Sequence, residues 1–479
     1  MKRLSCLLLS GAVLFALPAA GRAQRGADPA RRFGVGQKLR RFETAYDEQT
    51  DPAARQRALA KLRPITVLFF SGKLDEVART LDQARFALRS DREPEPAAQW
   101  AESLWARPAT RLLDAKEAEL AVTVEPFYKV KAGPPKDAKV RLTLGLRGEK
   151  PQRTAEQPVE KLPLEVKVPV KGLAEGDYQL AAEVLAGDKV LARTEQAVSV
   201  AANLDERLAK LRKAVEALPA EPATADKLTL RERVKLLTGL RRKEMPETVY
   251  PAAKLLAEAE AVAEGRERYG HKRPGQFWLT LPAGKEVVHV RLLAPEAAKS
   301  GKPLPLVLAL HGAGGSENLF FDGYGRGAAV KQCEQRGWLL VAPRSAGLFR
   351  GPRLPELIDE VAKLYPVDRK SVFVMGHSMG AGQAVTAAGQ APEKFAAVAA
   401  LGGGGQVKAS DGLKAVPFFV GVGSEDFAAG GARQLSAALK RADVKKVEFK
   451  EYKGVEHLVV VQEAMKDVFA FFDAAAKGR

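Results

Sequence analysis

The stretch SVFVMGHSMGAG, residues 371–382, decides the fold of the C-terminal part of this chain. It places Ser378 between Gly376 and Gly380, after an apolar run and before the helix-forming segment AGQAVTAAG. A tight turn between strand and helix can hold a nucleophilic serine in a strained backbone conformation, with room only for glycine on either side. Because G-x-S-x-G also arises by chance in a glycine-rich chain, the surrounding sequence must decide between nucleophile and ordinary turn.

Apolar strands and helical segments alternate from about residue 271 onward. FWLTL and VVHVRLLAP predict an antiparallel start, and they are followed by continuous apolar runs such as LPLVLALHG, GWLLVAPR and VPFFVGVGSED. Strands of this kind are buried on both faces, and helices such as LPELIDEVAKLY join them in parallel. Residues 268–479 are therefore predicted to form an α/β domain with a doubly wound, mostly parallel sheet.

A nucleophilic serine needs a base and an acid, which in this kind of fold follow in the order serine, acid, histidine. Of the five histidines only His457 comes after Ser378, in a predicted loop before the last helix. Asp426, in GSEDF after the next-to-last strand, is the predicted acid, and Glu425 is the alternative. The acid would hold the neutral imidazole in the right tautomer and stabilise the imidazolium.

The segment HGAGG, residues 311–315, predicts an oxyanion-binding loop after a strand. Its small residues let backbone N–H groups approach a developing oxyanion, and the second donor is usually the N–H group after the nucleophile. Ala313 and Gly314 are the predicted donors together with Met379, although Gly312 stays open as an alternative. The loop lacks the lysine and hydroxyl residue of a phosphate-binding P-loop, so phosphate binding is not expected.

Aromatic residues follow this loop in SENLFFDGYGRG, residues 316–327. They either line the pocket for the acyl or alcohol group or cover the edge of the sheet. His311 is expected to support the loop rather than to titrate in catalysis, and the side chain of His377 is expected to point away from the reacting centre. The predicted substrate pocket comprises His311, Phe320, Phe321 and Tyr324.

Four separated elements therefore occur in order: HGAGGSENLFFDGYG, YPVDRKSVFVMGHSMGAG, GVGSEDF and the late His457. Together they resemble the α/β-hydrolase superfamily, and within it the secreted esterases grouped with polyhydroxybutyrate depolymerases and feruloyl or acetylxylan esterases. The resemblance covers residues 271–479 only. It implies hydrolysis of a small or polymeric carboxylic ester through an acyl-enzyme on Ser378, without a metal or organic cofactor.

Two other functions stay open. A serine peptidase of the prolyl-oligopeptidase type shares this catalytic domain, but such enzymes usually carry a large propeller in front of it. The chain could also be a non-catalytic envelope-binding protein with a retired hydrolase domain, and retention of Ser378, Asp426 and His457 argues against that reading.

The first 23 residues predict an exported protein. Lys2 and Arg3 precede an apolar run and small residues ending at Ala23, which is typical of a secretory signal peptide. Cleavage near Ala23 would give a secreted or periplasmic protein with Cys333 as its only cysteine and no internal disulfide.

Loss of Lys2, Arg3 and Arg22 lowers the formal charge from +18 to +15. This excess favours loose association with anionic envelope surfaces. No basic run is interleaved with aromatics, so nucleic-acid binding is not expected, and the oligomeric state stays open.

Three regions are predicted between this segment and the α/β domain. Residues 24–118 are helical, with Leu74, Val77 and Leu81 at helical spacing. Residues 119–201 alternate in short strands, including a hairpin that turns at Gly187, and predict a small immunoglobulin-like β-sandwich with a spacer or docking role. Residues 202–267 form a helical linker region, in which TLRE, starting at Thr229, has the form of a capping box. No catalytic residue is predicted in these regions.

Overall fold

The computed structural model describes residues 28–219, 221, 223–345 and 351–477. The predicted signal peptide lies outside these residues. Across the described ranges, no helix has the length and apolar character needed to cross a bilayer.

Five helices form the first region: α1 (Pro29–Glu48), α2 (Pro52–Leu62), α3 (Ile65–Phe70), α4 (Leu74–Ala87) and α5 (Pro96–Ser103). Asp28 and Asp51 cap α1 and α2 with their side chains, and a proline follows each cap at a position that needs no N–H donor. Pro64 separates α2 from α3, because proline cannot donate the hydrogen bond that would continue the helix. Helix α4 packs against both α1 and α2.

Eight strands follow, in two sheets that share one core. One sheet has the order β1-β3-β6; the other has the order β2-β8-β7-β4-β5 and is antiparallel except for the β2–β8 pair. The β7–β8 hairpin turns at Gly187, which has a φ of 57°. The immunoglobulin-like connection of these sheets stays a prediction. The strands are β1 (Leu104–Pro108), β2 (Leu112–Asp114), β3 (Glu119–Pro126), β4 (Ala138–Leu146), β5 (Arg153–Pro158), β6 (Leu164–Pro169), β7 (Gly176–Ala186) and β8 (Lys189–Ala201).

The strand region begins earlier than the predicted boundary at residue 119. Strands β1 and β2 lie inside the segment 24–118, which was expected to be helical throughout. Strand β1 has five residues and β2 has three, which is too few for the alternation of a strand to stand out from the helical pattern before them.

Helices α6 (Leu204–Glu216), α7 (Ala225–Arg241) and α8 (Ala252–Ala263) form the next region. The capping-box prediction is wrong by five residues, because Thr224 caps α7 by accepting a hydrogen bond from the N–H group of Lys227. Thr229 lies inside the helix, where its hydroxyl accepts a hydrogen bond from the N–H group of Thr280 at 2.9 Å. This contact fastens α7 to the first strand of the C-terminal sheet.

The C-terminal sheet has eight strands in the order β16-β15-β14-β13-β11-β12-β10-β9. Strands β11 to β16 pair in parallel, whereas β10 pairs antiparallel with β12 and with β9. The strands are β9 (Gly275–Ala283), β10 (Glu286–Ala294), β11 (Leu304–Leu310), β12 (Leu339–Pro343), β13 (Val367–His377), β14 (Ala397–Leu401), β15 (Phe418–Gly423) and β16 (Val447–Tyr452).

Helices cover both faces of this sheet. Alternate residues of β11 show the division, since Val307 shares a core with α15 and Leu308 shares the other core with α11, α12 and α14. The chain leaves β11 first toward β12 and then returns to β13 on its other side, so the strand order reverses at β11. In open α/β sheets this reversal opens a crevice at the carboxyl ends of the strands, where ligands bind. The helices are α9 (Leu319–Asp322), α10 (Tyr324–Arg336), α11 (Leu354–Leu364), α12 (Met379–Gln390), α13 (Asp411–Lys414), α14 (Ala429–Arg441) and α15 (Val460–Lys477).

The N-terminal helices pack onto the C-terminal domain. Phe42 of α1 and Leu81 of α4 belong to the same hydrophobic core as Val460 and Met465 of α15. Arg55 of α2 forms an ion pair with Glu463 at 2.6 Å. The first region therefore lies over the carboxyl edge of the sheet instead of standing apart as a separate module.

Candidate active site

Ser378 occupies the turn between β13 and α12. Its backbone has a φ of 56° and a ψ of −115°, a conformation that non-glycine residues rarely adopt. Its N–H group donates to the carbonyl of Leu401 at 2.8 Å. A Cβ atom at Gly376 would lie 2.0 Å from the carbonyl oxygen of Gly380, and one at Gly380 would lie 2.1 Å from that of Leu310. Both flanking glycines are thus required by backbone packing.

His457 and Asp426 meet across two loops at the same edge of the sheet. Asp426 follows β15, and His457 lies between β16 and α15. The Nδ1 of His457 donates to the Oδ1 of Asp426 at 2.9 Å, which leaves Nε2 as the acceptor nitrogen of the neutral ring. The Asp426 side chain is fully buried, and its Oδ1 also accepts from the N–H group of Ala428 at 2.8 Å.

Glu425, the alternative acid, faces a different partner. Its carboxylate is 37 % exposed and forms an ion pair with Arg63 at 3.3 Å. Of the two neighbouring carboxylates, only Asp426 is within hydrogen-bond distance of the imidazole.

A chain of hydrogen bonds connects the predicted oxyanion loop to the histidine loop. The N–H group of Gly312 donates to the hydroxyl of Tyr324 at 3.4 Å, and that hydroxyl donates to the Nδ1 of His377 at 2.6 Å. The Nε2 of His377 donates to the carbonyl of His457 at 3.0 Å. Burial, together with the nearby His457, lowers the pKa of His377 well below its usual range, so its ring stays neutral and keeps this direction of donation. His377 therefore positions the backbone of His457, a role that its place inside G-x-S-x-G does not reveal.

The segment HGAGG lies against the nucleophile. A Cβ atom at Gly312 would lie 3.3 Å from the Cβ of Ser378. The N–H group of Gly312 donates to Tyr324, which argues against it as an oxyanion donor. Ala313 and Gly314 therefore stay the predicted donors, together with the N–H group of Met379 at the start of α12. Ala313 and Gly314 both line the cavity that contains Ser378.

Two side chains hold this loop in position. The Nδ1 of His311 donates to the carbonyl of Gly312 at 2.8 Å, and its Nε2 accepts from the N–H group of Ser345 at 3.1 Å. Arg32, which belongs to helix α1, donates to the carbonyl of Gly314. The N-terminal region thus contacts the oxyanion loop directly.

Ser378 and His457 line a cavity of about 220 Å³. The oxyanion loop forms one side of it, and the N-terminal helices α1, α3 and α4 form the other. No site residue was expected in these helices from the sequence. The apolar side chains that they contribute are Val35, Leu39, Ile65, Phe69, Phe70, Val77 and Leu81.

Of the four residues predicted for the substrate pocket, only Tyr324 lies in this lining, within the part of the chain that the structure describes. Phe320 is buried and packs edge-on against Tyr324, with ring centroids 4.8 Å apart. Phe321 packs under the guanidinium of Arg291 at 4.7 Å. His311, Phe320 and Phe321 are therefore not part of the cavity lining, and the two phenylalanine rings instead pack against Tyr324 and Arg291.

Glu456 is a second buried carboxyl next to the His457–Asp426 pair. It accepts hydrogen bonds from the N–H groups of Leu458 at 2.8 Å and Val459 at 3.1 Å, and so fixes the loop that carries His457. Burial raises its pKa to about 8, and the charge of Asp426 contributes in the same direction.

We expect replacement of Glu456 by glutamine to stabilise the protein increasingly as the pH rises. Below the ordinary pKa of 4.5 the folded and unfolded states both hold the proton; between 4.5 and about 8 only the folded state does, which costs stability as the pH rises. Glutamine keeps an acceptor oxygen but cannot ionise. Between pH 5 and pH 8.5, the Tm of Glu456→Gln relative to wild type should rise by about 2–4 °C.

Differential scanning calorimetry at both pH values measures this shift. Glu393→Gln, which alters an exposed carboxylate, is the matched control and should show no pH-dependent difference. A Tm difference for Glu456→Gln that is constant or falls with pH would contradict the assignment of a protonated Glu456.

Comparison with known proteins gives one family-model match, which lies within the C-terminal domain. The family model described as "Putative esterase" matches residues 353–453. This match confirms the predicted resemblance of the C-terminal domain to esterases. No curated protein matches the sequence of the chain.

Solved structures similar to this one include several esterases. An S-formylglutathione hydrolase from Staphylococcus aureus is 16 % identical, with 43 % of this chain and 98 % of that chain covered and a TM-score of 0.35. A ferulic acid esterase is 17 % identical, with 43 % of this chain and 99 % of that chain covered and a TM-score of 0.37. A thermostable esterase is 16 % identical, with 78 % of this chain and 99 % of that chain covered and a TM-score of 0.38.

Proposed function

We propose that this protein is an exported serine hydrolase that cleaves carboxylic esters through an acyl-enzyme. The observation that carries the proposal is the joint placement of Ser378, in its strained turn, and the His457–Asp426 pair at one cavity. A nucleophile, a base whose tautomer is set by a buried carboxylate, and backbone donors beside them are the parts that acyl transfer needs. Export rests on the N-terminal sequence and places the activity outside the cytoplasm.

In the first half-reaction, the Oγ of Ser378 attacks the ester carbonyl while the Nε2 of His457 takes its proton. Asp426 stabilises the resulting imidazolium. The N–H groups of Met379 and of Ala313 or Gly314 bind the negative oxygen of the tetrahedral intermediate. Collapse of the intermediate breaks the bond to the alcohol, which leaves with the proton held by His457.

In the second half-reaction, water attacks the acyl-enzyme and gives its proton to His457. The tetrahedral intermediate then collapses and releases the carboxylic acid, while His457 returns the proton to the Oγ of Ser378. The apolar walls supplied by α1, α3 and α4 suit the hydrocarbon part of a substrate. Phe427, which is 68 % exposed, lies with its ring 4.4 Å from that of His457 and offers an apolar surface where the alcohol departs.

A fluorophosphonate probe tests the nucleophile. We expect wild-type protein to be labelled on the tryptic peptide that contains Ser378 and Ser378→Ala to remain unlabelled, because only an activated serine attacks the probe. Mass spectrometry of the labelled peptide provides the readout. Labelling of another serine, or equal labelling of the alanine variant, would overturn the assignment.

A substrate panel tests the reaction class. 4-Nitrophenyl acyl esters release 4-nitrophenol and aminoacyl 4-nitroanilides release 4-nitroaniline, so cleavage of an ester bond and of an amide bond can both be followed by absorbance. We expect the esters to be preferred in kcat/KM. Preference for the anilides would indicate a peptidase, and absence of turnover on both classes would favour a binding protein.

A further inference from the structure

One charged side chain in the lining of the active-site cavity has no ion-pair partner among the residues that the structure describes. Four charged side chains line the cavity, and two of them are cations of helix α1. Arg32 forms an ion pair with Glu247 at 3.7 Å, and Asp322 forms one with Arg291 at 2.8 Å. The remaining cation is the guanidinium of Arg40.

Arg40 makes no hydrogen bond or ion pair through its side chain with any residue that the structure describes. The carboxylates of Asp322 and Glu43 act on it only through their longer-range charge. Glu43 is directed elsewhere, since its Oε2 accepts from the N–H group of Arg326 at 3.3 Å. Arg40 is partly buried, and this partial loss of water lowers the pKa of its guanidinium.

A second guanidinium behind the cavity wall adds to this positive charge. Arg111 stacks on the ring of Phe33 at 3.6 Å, and Arg40 lies 5.7 Å from the same ring. Arg111 donates to the carbonyls of Pro246 at 3.1 Å and Thr248 at 2.9 Å, with no carboxylate partner in the described ranges. Burial and the charge of Arg40 lower the pKa of Arg111 to about 9. The two cations therefore raise the potential at this end of the cavity, and neither forms an ion pair with a carboxylate in the described ranges.

A partly buried guanidinium that lines a largely apolar cavity favours an anionic ligand, because a carboxylate both neutralises it and accepts its parallel N–H donors. A wholly apolar acyl group would cover Arg40 without offering its guanidinium a hydrogen-bond acceptor. The same cavity contains Ser378, so a ligand held by Arg40 would extend along the apolar walls toward the nucleophile.

We propose that Arg40 is a specificity-determining residue that binds a free carboxylate on the ester substrate. The substrate class is then a half-ester of a dicarboxylic acid, or a carboxylate-ended unit of a polyester, with a hydrocarbon spacer between the carboxylate and the scissile carbonyl. This inference rests on the proposed esterase function and deepens it.

A matched pair of esters tests the inference. Mono-4-nitrophenyl adipate carries the free carboxylate, and methyl 4-nitrophenyl adipate has the same chain with that charge removed. We expect wild type to prefer the acid in kcat/KM, and Arg40→Met to lose about 10- to 100-fold more on the acid than on the methyl ester, chiefly through KM. Arg40→Lys should recover part of the preference, because lysine restores the charge without the planar fork.

Arg79→Met is the matched control. Arg79 lies in the same N-terminal region but donates to the carbonyl of Lys129 and is not part of the cavity lining. Both kcat/KM values should stay within twofold of wild type in this variant. Wild-type protein alone gives a second measurement that needs no variant to fold, because adipate should inhibit hydrolysis of the methyl ester more strongly than adipamide does.

The outcomes separate the two proposals. Equal wild-type activity on acid and methyl ester, or equal losses on both in Arg40→Met, would overturn the role of Arg40 and leave the esterase function standing. Equal inhibition by adipate and adipamide would also overturn it. Absence of turnover on both esters, combined with absence of fluorophosphonate labelling, would reject the esterase function itself.

Discussion

Ser378→Ala and His457→Ala are each expected to lower kcat for ester hydrolysis by about 10⁴-fold or more, and the double variant should lose no more than either single variant. Without the Oγ there is nothing to acylate; without the imidazole the hydroxyl keeps its proton and stays a weak nucleophile. Because the two residues act as one unit, replacing the second residue causes no further loss of kcat. The residual rate should come from the oxyanion loop and the cavity, which both variants retain.

Steady-state kinetics of the wild type, the single variants and the double variant with one 4-nitrophenyl ester measure this non-additivity. Thermal unfolding checks that each variant is folded, since both residues lie in loops and at turns rather than in the apolar core. Losses that multiply in the double variant would show that Ser378 and His457 act independently, against the proposed mechanism.

Asp426→Asn is expected to lower kcat by about 10³- to 10⁴-fold with little change in the fold. An amide in place of the carboxylate can turn its NH₂ group toward Nδ1 of His457, which then becomes the acceptor and moves the ring proton to Nε2. In that tautomer the base cannot take the proton of Ser378. The loss should appear in kcat more than in KM, because the charge of Asp426 matters most when the imidazolium forms.

Glu425→Gln is the matched control for this change. It makes the same acid-to-amide replacement one residue earlier, on a carboxylate that faces solvent and Arg63. We expect its kcat to stay within twofold of wild type. If Glu425→Gln were the damaging variant and Asp426→Asn the mild one, the alternative acid considered from the sequence would be correct.

The sequence contained enough to predict the strands of the C-terminal sheet. Runs such as LPLVLAL and VPFFVGVG are apolar at every position, which marks strands buried on both faces, and the spacers between them match helices. Chain order then singled out His457 and Asp426, because few titratable residues follow Ser378 at the ends of strands. Local pattern and chain order were sufficient for residues that sit where a parallel sheet must end.

The cavity walls could not be predicted in this way. Amphipathic spacing in α4 predicted that Val77 and Leu81 are buried, but it says nothing about which surface covers them. Phe320 and Phe321 were candidates because they follow the oxyanion loop, and only packing turned them away from the cavity. The hydrogen bonds of His377 join loops that are distant in the chain, so no local sequence pattern predicts them.

The packing of the first helices on the last one sets the order in which this site can be completed. Arg55 and Glu463, which form an ion pair between α2 and α15, are 408 residues apart in the chain. Contacts of such separation form late, because a long loop must close before they can contribute. The two sheets formed by β1 to β8 and much of the α/β sheet can fold before α15 packs, and until then the helices opposite Ser378 lack the apolar surface that α15 offers them. The cavity beside Ser378 is fully enclosed only after α1, α2 and α4 have packed on α15.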